Sequence, residues 1–280
     1  MAKLIVNADD FGASPAVNAA VALAHREGIL TSASLMITAP AAAEAVAIAR
    51  AHPRLAIGLH LALADARPAL SAPAIPQLVG DDGRLERDPQ RAGLRYAASA
   101  AAREALRREI GAQFAAFVAT GLPLSHVDGH HHLHIHPAAL PVAAGLAARH
   151  GANGVRLPCE GLRALHGGAP RAIAEALALG ALAGLWRGVL RREGLAWAAE
   201  SHGALRSGSM HEEYVLELLG ELHGGSSVEL YFHPSTKPGE RAEPRGPNPG
   251  DLASLVSPAV RRAVEGGGFE LVTYAALRAA

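Results

Sequence analysis

The sequence predicts an α/β fold, a single-domain (β/α) barrel of the TIM type with seven or an irregular number of strands. Short β-type runs alternate with Ala-rich helical segments, which is the pattern of parallel βα units. The unusual polar residues fall at the carboxyl ends of those runs, where the loops of such a barrel converge on one face. A chain of 280 residues with 50% hydrophobic but only 4% aromatic content can bury a large core of closely packed helices on a scaffold.

In chain order, strands are expected near residues 3–8, where Leu4, Ile5 and Val6 are apolar, then near 33–37, 55–61, 124–127, 154–157, 228–232 and 270–273. Helices are expected between them near 15–27, 41–51, 101–120, 137–150, 170–192, 210–223 and 249–265. Seven strands with intervening helices favour a closed or nearly closed barrel over a short open sheet. No internal repeat or linker divides the chain, so residues 1–280 read as one domain. Two proline-rich stretches, 65–93 and 235–250, read as long irregular loops, which in a compact domain often cover a site.

Composition excludes several classes. Lys plus Arg equals Asp plus Glu at 26 each, so no basic field exists to hold nucleic acid. Cys159 is the single cysteine, which rules out an intrachain disulfide and any Cys-rich zinc module. The first residues reach Asn7 and two acids before a signal-peptide-like apolar stretch can form, and the apolar run at 176–186 is far shorter than the roughly 20 residues of a spanning helix. A cytoplasmic protein is expected. Neither a P-loop nor a strand followed by G-x-G-x-x-G is present, which disfavours nucleotide chemistry.

The chemistry concentrates in two places. Asp9 and Asp10 end the first apolar run, and six of the fifteen histidines lie within the eleven residues from His126 to His136. Carboxylate and neutral imidazole are the ligands that a borderline divalent cation takes readily. His60, His130, Arg156 and His233 also fall at or near strand ends, so one mouth can hold them all. His60 alone would pass for a core histidine, whereas His130 to His132 stand beside Asp128, with Gly129 allowing a bend before them.

Four separated segments carry a resemblance. Asn7-Ala8-Asp9-Asp10-Phe11-Gly12, Gly58-Leu59-His60-Leu61, the run from His126 to His134, and Phe232-His233-Pro234 resemble, in order and spacing, the motifs of the YdjC-like carbohydrate deacetylases, which include chito-oligosaccharide deacetylase. The resemblance implies a barrel related to polysaccharide deacetylases and one divalent metal ion, zinc or magnesium, held by Asp10, His60 and His130. It implies Asp9 as the base and His233 as the acid. Beside these, Arg156 reads either as a partner of Asp9 or a sugar hydroxyl or as a structural ion pair, His132 and His134 read as residues that orient the ligands or bind substrate, and His131 has no assigned role. Thr31-Ser32-Ala33-Ser34-Leu35-Met36 and Ile75-Pro76-Gln77-Leu78-Val79 are similar to the hopanoid-biosynthesis-associated branch. That likeness implies a lipid-linked N-acetylglucosaminyl substrate, with a chito-oligosaccharide as the alternative. Peripheral membrane contact and a homodimer are further expectations, which rest on the helix at 170–192 with its small-residue face and Arg187, Arg191 and Arg192 at its end.

Other classes make different demands. Two histidines and a carboxylate also form the facial triad of non-haem iron oxygenases, but βα alternation is not their scaffold. A non-catalytic carbohydrate- or metal-binding barrel needs ligands but no base, so Asp9 discriminates it. In the helix at 170–192, Gly180, Gly184 and Gly188 recur every four residues, with Ala172 and Ala176 continuing the line and Leu177, Leu179, Leu182, Leu185 and Trp186 around it. This face reads either as close packing on a neighbour or a dimer mate, or as a surface for the apolar part of a lipid-linked sugar.

Overall fold

A computed structural model describes residues 1–161, 170–222, 227–238 and 246–277, without the side chains of 171, 172 and 175. The strands are β1 (Ala2–Phe11), β2 (Ser32–Leu35), β3 (Ala56–Leu61), β4 (His126–Gly129), β5 (Gly154–Val155), β6 (Glu200–His202), β7 (Ser227–Phe232) and β8 (Phe269–Val272). They pair in parallel in the order β5-β4-β3-β2-β1-β7-β6. The sheet therefore curls through seven strands as an incomplete barrel. Its two edges meet at a loose seam, where Gly154 bridges Ala196 and the Ser201 N–H donates to the Cys159 carbonyl at 2.9 Å.

β1 is the axis of this sheet. Its first half pairs with β8 (Ala2 to Ile5 against Phe269 to Val272), its second half pairs with β2, and β7 runs along its other side. Only Lys3 is not fully buried along the strand, as expected of a central parallel strand covered on both faces. Helices α1 (Pro15–Glu27), α2 (Ala42–Ala51), α3 (Pro89–Ala98), α4 (Ala100–Ala119), α5 (Leu140–Arg149), α6 (Pro170–Arg192), α7 (Glu212–Glu221), α8 (Pro249–Val256) and α9 (Pro258–Gly266) complete the fold. One apolar cluster, from Leu4 and Val6 through Leu59 and Phe114 to Leu230 and Val264, joins them to the sheet. Among the described residues no helix is long and apolar enough to cross a membrane.

The curled path has the expected seven strands, and three details differ. Among the described residues, Glu200-Ser201-His202 joins that path as β6 through backbone pairing with β7, with no apolar pattern to announce it, while the expected last strand, β8, lies off the path against β1. The helix expected over 249–265 is two helices, since Ser257 caps α9 by accepting the Ala259 and Val260 N–H groups, with Pro258 at the first turn. The loop expected at 65–93 ends in helix: the Asp88 side chain accepts from Gln90 and Arg91 N–H, and Pro89 starts α3. Residues 239–245 of the second proline-rich stretch, His223 at the end of the 210–223 helix, and the Ala172 side chain of the glycine stripe lie outside the described residues.

Candidate metal centre and active site

Every polar residue singled out in the sequence sits on or just beyond a carboxyl strand end. β1 carries Asp9 and Asp10, β3 carries His60, β4 leads into His130, Arg156 follows β5, and His233 follows β7. Two glycines make room beneath them. A Cβ on Gly58 would collide with the His126 ring, and one on Gly129 would lie 2.8 Å from His134 Cβ, so buried imidazoles pack directly on the β3 and β4 backbones.

Asp10 adopts a left-handed conformation, φ 60°, where the pairing register of β1 with β2 shifts between Ala8 and Phe11. This irregularity turns its carboxylate to the same side as two imidazoles: Oδ1 lies 3.5 Å from His60 Nε2 and 3.1 Å from His130 Nδ1. Asp10 Oδ1 is buried and has no hydrogen-bond partner. A buried, unsatisfied carboxylate oxygen facing two nitrogens is costly unless a cation fills the gap. The donor set of one carboxylate and two imidazoles fits a divalent metal ion. Burial opposes ionisation of Asp10, but His130, His233 and His60 hold its pKa well below the usual carboxylate value.

Asp128 is a residue whose role sequence reasoning missed. Its Oδ1 accepts the His60 Nδ1–H at 2.9 Å, which leaves Nε2 as the nitrogen that faces Asp10. Its Oδ2 accepts from Ser34 Oγ at 2.7 Å and lies 2.9 Å from Arg156 Nη1. Burial works against an imidazolium at His60, yet Asp128, Asp9 and Asp10 raise its pKa to about 9.

Arg156 is fully buried and organises three carboxylates. Nη1 and Nη2 donate to Asp9 Oδ2 and Oδ1 at 2.7 and 2.8 Å, a bidentate pair, and Nη2 also reaches Glu229 Oε1 at 3.1 Å. Its guanidinium lies 4.2 Å from the Tyr231 ring centroid. Burial disfavours the cation, but Asp128, Asp9 and Glu229 keep its pKa well above the free value. Asp9 also accepts from Asn7 Nδ2 at 2.8 Å. Asp9, His60 and Asp128 lie close enough to hold an ion, but Arg156 already fills that cluster. Glu229 is a second missed residue: Tyr274 Oη and Ser201 Oγ donate to its other oxygen at 2.8 and 3.2 Å.

His130 opens a tight turn, residues His130–Ile135, in which His131 and His132 are both left-handed at φ 53° and 56°. His132 Nε2 meets the Tyr231 hydroxyl at 3.1 Å, and His134 Nε2 meets the Arg156 carbonyl at 2.9 Å. His132 and His134 therefore brace the tyrosine and backbone around Arg156, and neither belongs to the Asp10 group. The Arg156 guanidinium lies beside Asp9. His233 is half-buried; its N–H donates to Asp251 Oδ2 at 2.8 Å, while its Nδ1 is buried without a partner.

The fold and this constellation define a class: a parallel α/β barrel with an Asp-His-His group at the carboxyl ends of its strands and a separate arginine-held aspartate beside it. The chain belongs to the YdjC-like protein family, whose sequence model matches residues 3–266. It is 46% identical over 145 residues to a carbohydrate deacetylase of Brevibacillus brevis, covering 52% of this chain and 55% of that protein. It is 37% identical over 149 residues to a chitooligosaccharide deacetylase of Serratia marcescens, covering 53% and 56%. The matched stretch thus spans little more than half the length of these relatives. A solved structure from Enterococcus faecalis V583, described as a "putative cellobiose-phosphate cleavage protein", superposes with a TM-score of 0.74 at 27% identity, covering 98% of this chain and 97% of that one.

Proposed function

We propose that this chain is a metal-dependent carbohydrate N-deacetylase, an amide hydrolase that removes the acetyl group from an N-acetylated amino sugar. The observation that carries this reading is the division of labour between adjacent aspartates. Asp10 has an unsatisfied oxygen facing two imidazoles, and Asp9 is held apart from them by Arg156. A non-catalytic binding barrel needs the ligands and the buried Arg156 ion pair but no base, so turnover lost with the Asp9 carboxylate while metal is retained separates the two readings. The relatives named as carbohydrate and chitooligosaccharide deacetylases support the same chemistry.

Asp10, His60 and His130 would hold the ion, which when bound supplies Lewis acidity toward the amide carbonyl and toward water. Asp9 takes the proton of the attacking water, with Arg156 fixing both carboxylate oxygens in place. Asp128 locks the His60 tautomer and ring plane. His233 gives a proton to the departing sugar nitrogen, so that acetate and a free amine leave. General acid and general base groups of this kind each contribute roughly 10²–10⁴ in rate.

The finer reading is an N-acetylglucosaminyl group on a hopanoid lipid, with a soluble chito-oligosaccharide as the alternative. The support for a lipid is α6. Trp186 Nε1 donates to the Ile135 carbonyl at 2.9 Å, so this helix borders the turn that carries His130. Leu177 and Leu185 on it are 50% and 73% exposed, and a Cβ on Gly184 or Gly188 would meet nothing within 4 Å. Among the described residues, Gly184 and Gly188 therefore pack on nothing, whereas Gly180 reaches Cys159 Sγ and Ala176 is buried, so the open part of the stripe is its carboxyl-terminal half. Acetate release from a panel of N-acetylglucosaminides, with and without a lipid aglycone and with and without a chelator, tests both levels. No acetate from any of them would overturn the deacetylase reading.

A further inference from the structure

The proline-rich excursion after β3 brings a second donor set to the rim of the same mouth. Asp65 is held in a left-handed conformation, φ 48°, by its N–H bond to the Glu86 carbonyl at 2.9 Å, and Leu85 N–H fixes the neighbouring Ala66 carbonyl at 3.1 Å. Opposite it stands His131, at φ 53°, with its ring centroid 4.0 Å from that of His130. One ligand atom from each of Asp65, His130 and His131 lies within 4.8 Å of the others, the same closeness as in the Asp10, His60 and His130 group.

The two groups differ in access. Asp10 and His60 are buried, whereas Asp65 and His130 are half-buried and His131 is exposed. Among the described residues, the non-glycine residues with positive φ are Asp10, Asp65, His131 and His132, so all of them belong to or adjoin these two groups. Such conformations persist only where the surroundings hold them, and they gather at ligand sites.

We infer that Asp65, His130 and His131 form an outer divalent-cation position that shares His130 with the inner centre. A carboxylate and two neutral imidazoles suit zinc or a similar borderline ion, and exposure gives it a direct entry path. Because one imidazole is common to both sets, an ion at either position weakens binding at the other, so the outer equivalent is the weaker one and excess metal opposes inner function. The inference rests on the proposed inner ligand set only through this shared residue.

Equilibrium dialysis of tag-free, metal-stripped protein against Zn²⁺, with bound metal counted by elemental analysis, tests it. Wild type is expected to take one tight and one weaker equivalent. Asp65→Asn and His131→Ala should each keep the tight equivalent and lose the weaker one, while Asp10→Ala should keep only the weaker one. His131→Asn, which tolerates the left-handed backbone, replaces the alanine variant if thermal melting shows that the latter does not fold. A single equivalent in wild type, or a second equivalent that survives both outer variants, overturns the outer position. If Asp10→Ala retains both equivalents, the inner assignment fails while the Asp65 and His131 variants still decide the outer one.

Discussion

His60 donates its Nδ1–H to Asp128 at 2.9 Å, and this one bond decides which ring nitrogen faces Asp10. Asp128→Asn removes the acceptor charge while keeping the shape. Loss of such an outer partner commonly weakens metal affinity by about 10–100-fold. Zinc affinity measured by chelator competition is expected to fall within that range, with turnover recovering at saturating metal. Because Asp128 also faces buried Arg156, a lower thermal midpoint is expected alongside. Unchanged affinity would show that Asp128 serves Arg156 alone.

Neighbouring acids make the sharpest contrast. Asp10→Ala and His130→Ala should lose tightly bound metal, since each removes a ligand from the Asp10, His60 and His130 group. Asp9→Asn should retain metal and lose turnover, because its carboxylate faces Arg156 instead. Elemental analysis beside an acetate assay separates the two outcomes. Full activity in Asp9→Asn would remove it as the base.

Much of this arrangement was legible, for identifiable reasons. Leu4, Ile5 and Val6 announce β1 by composition, yet the strand runs on past the expected end at Ala8 through Asp9 and Asp10 to Phe11, since the partners of these acids lie far away in the chain. That Asp10 and His60 stand at strand ends was legible from the apolar runs before them, whereas their proposed part in holding a metal came only with the family resemblance. The roles of Asp128 and Glu229 were not legible, because they depend on contacts 68 residues away with His60 and 73 residues away with Arg156. Glu229 did leave a signal, a lone acid between Val228 and Leu230 in a buried strand. The Ser257-Pro258 cap was also readable, and β6 left no signal because backbone pairing with β7 defines it.

Metal-free protein should show a bell-shaped dependence of stability on pH. His60 has its folded pKa raised from 6.5 to about 9, so its contribution is full below 6.5 and is lost as pH rises through 9. Burial lowers the pKa of His126 and His134 to about 4, so their contribution is present above 6.5 and is lost as pH falls through 4. Urea midpoints should therefore peak near neutrality. Zinc should abolish the alkaline decline, because a ligating His60 must be neutral. A flat alkaline limb without metal would show that His60 is not charged in the folded state.

His233 stands after β7 with its Nδ1 buried and unpartnered, on the same mouth as Asp10. A group that acts on charge developing in the transition state affects kcat, whereas a binding group affects KM. His233→Ala is expected to lower kcat by roughly 10²–10⁴ with little change in KM. Steady-state acetate kinetics checks this, and a change confined to KM would reassign His233 to substrate binding.

The substrate's aglycone is tested on α6. Leu177 and Leu185 are separated by two turns and together present exposed apolar area on the helix that is tied to Ile135 through Trp186. Replacing both with serine removes apolar surface that is half exposed at Leu177 and mostly exposed at Leu185, so folding should be largely spared; surface changes of this kind usually fall within about 0.5 kcal/mol. If the face receives the lipid of a hopanoid glycoside, the double variant should lose several-fold in kcat/KM on that substrate, presented in vesicles, and remain unchanged on a soluble N-acetylglucosaminide. Burial of each leucine side chain is worth roughly 1.5–3 kcal/mol, enough for the loss to be measured. Equal kcat/KM on both substrates would leave the chito-oligosaccharide as the better reading, and a change of oligomeric state in the variant would assign the face to a second copy of the chain.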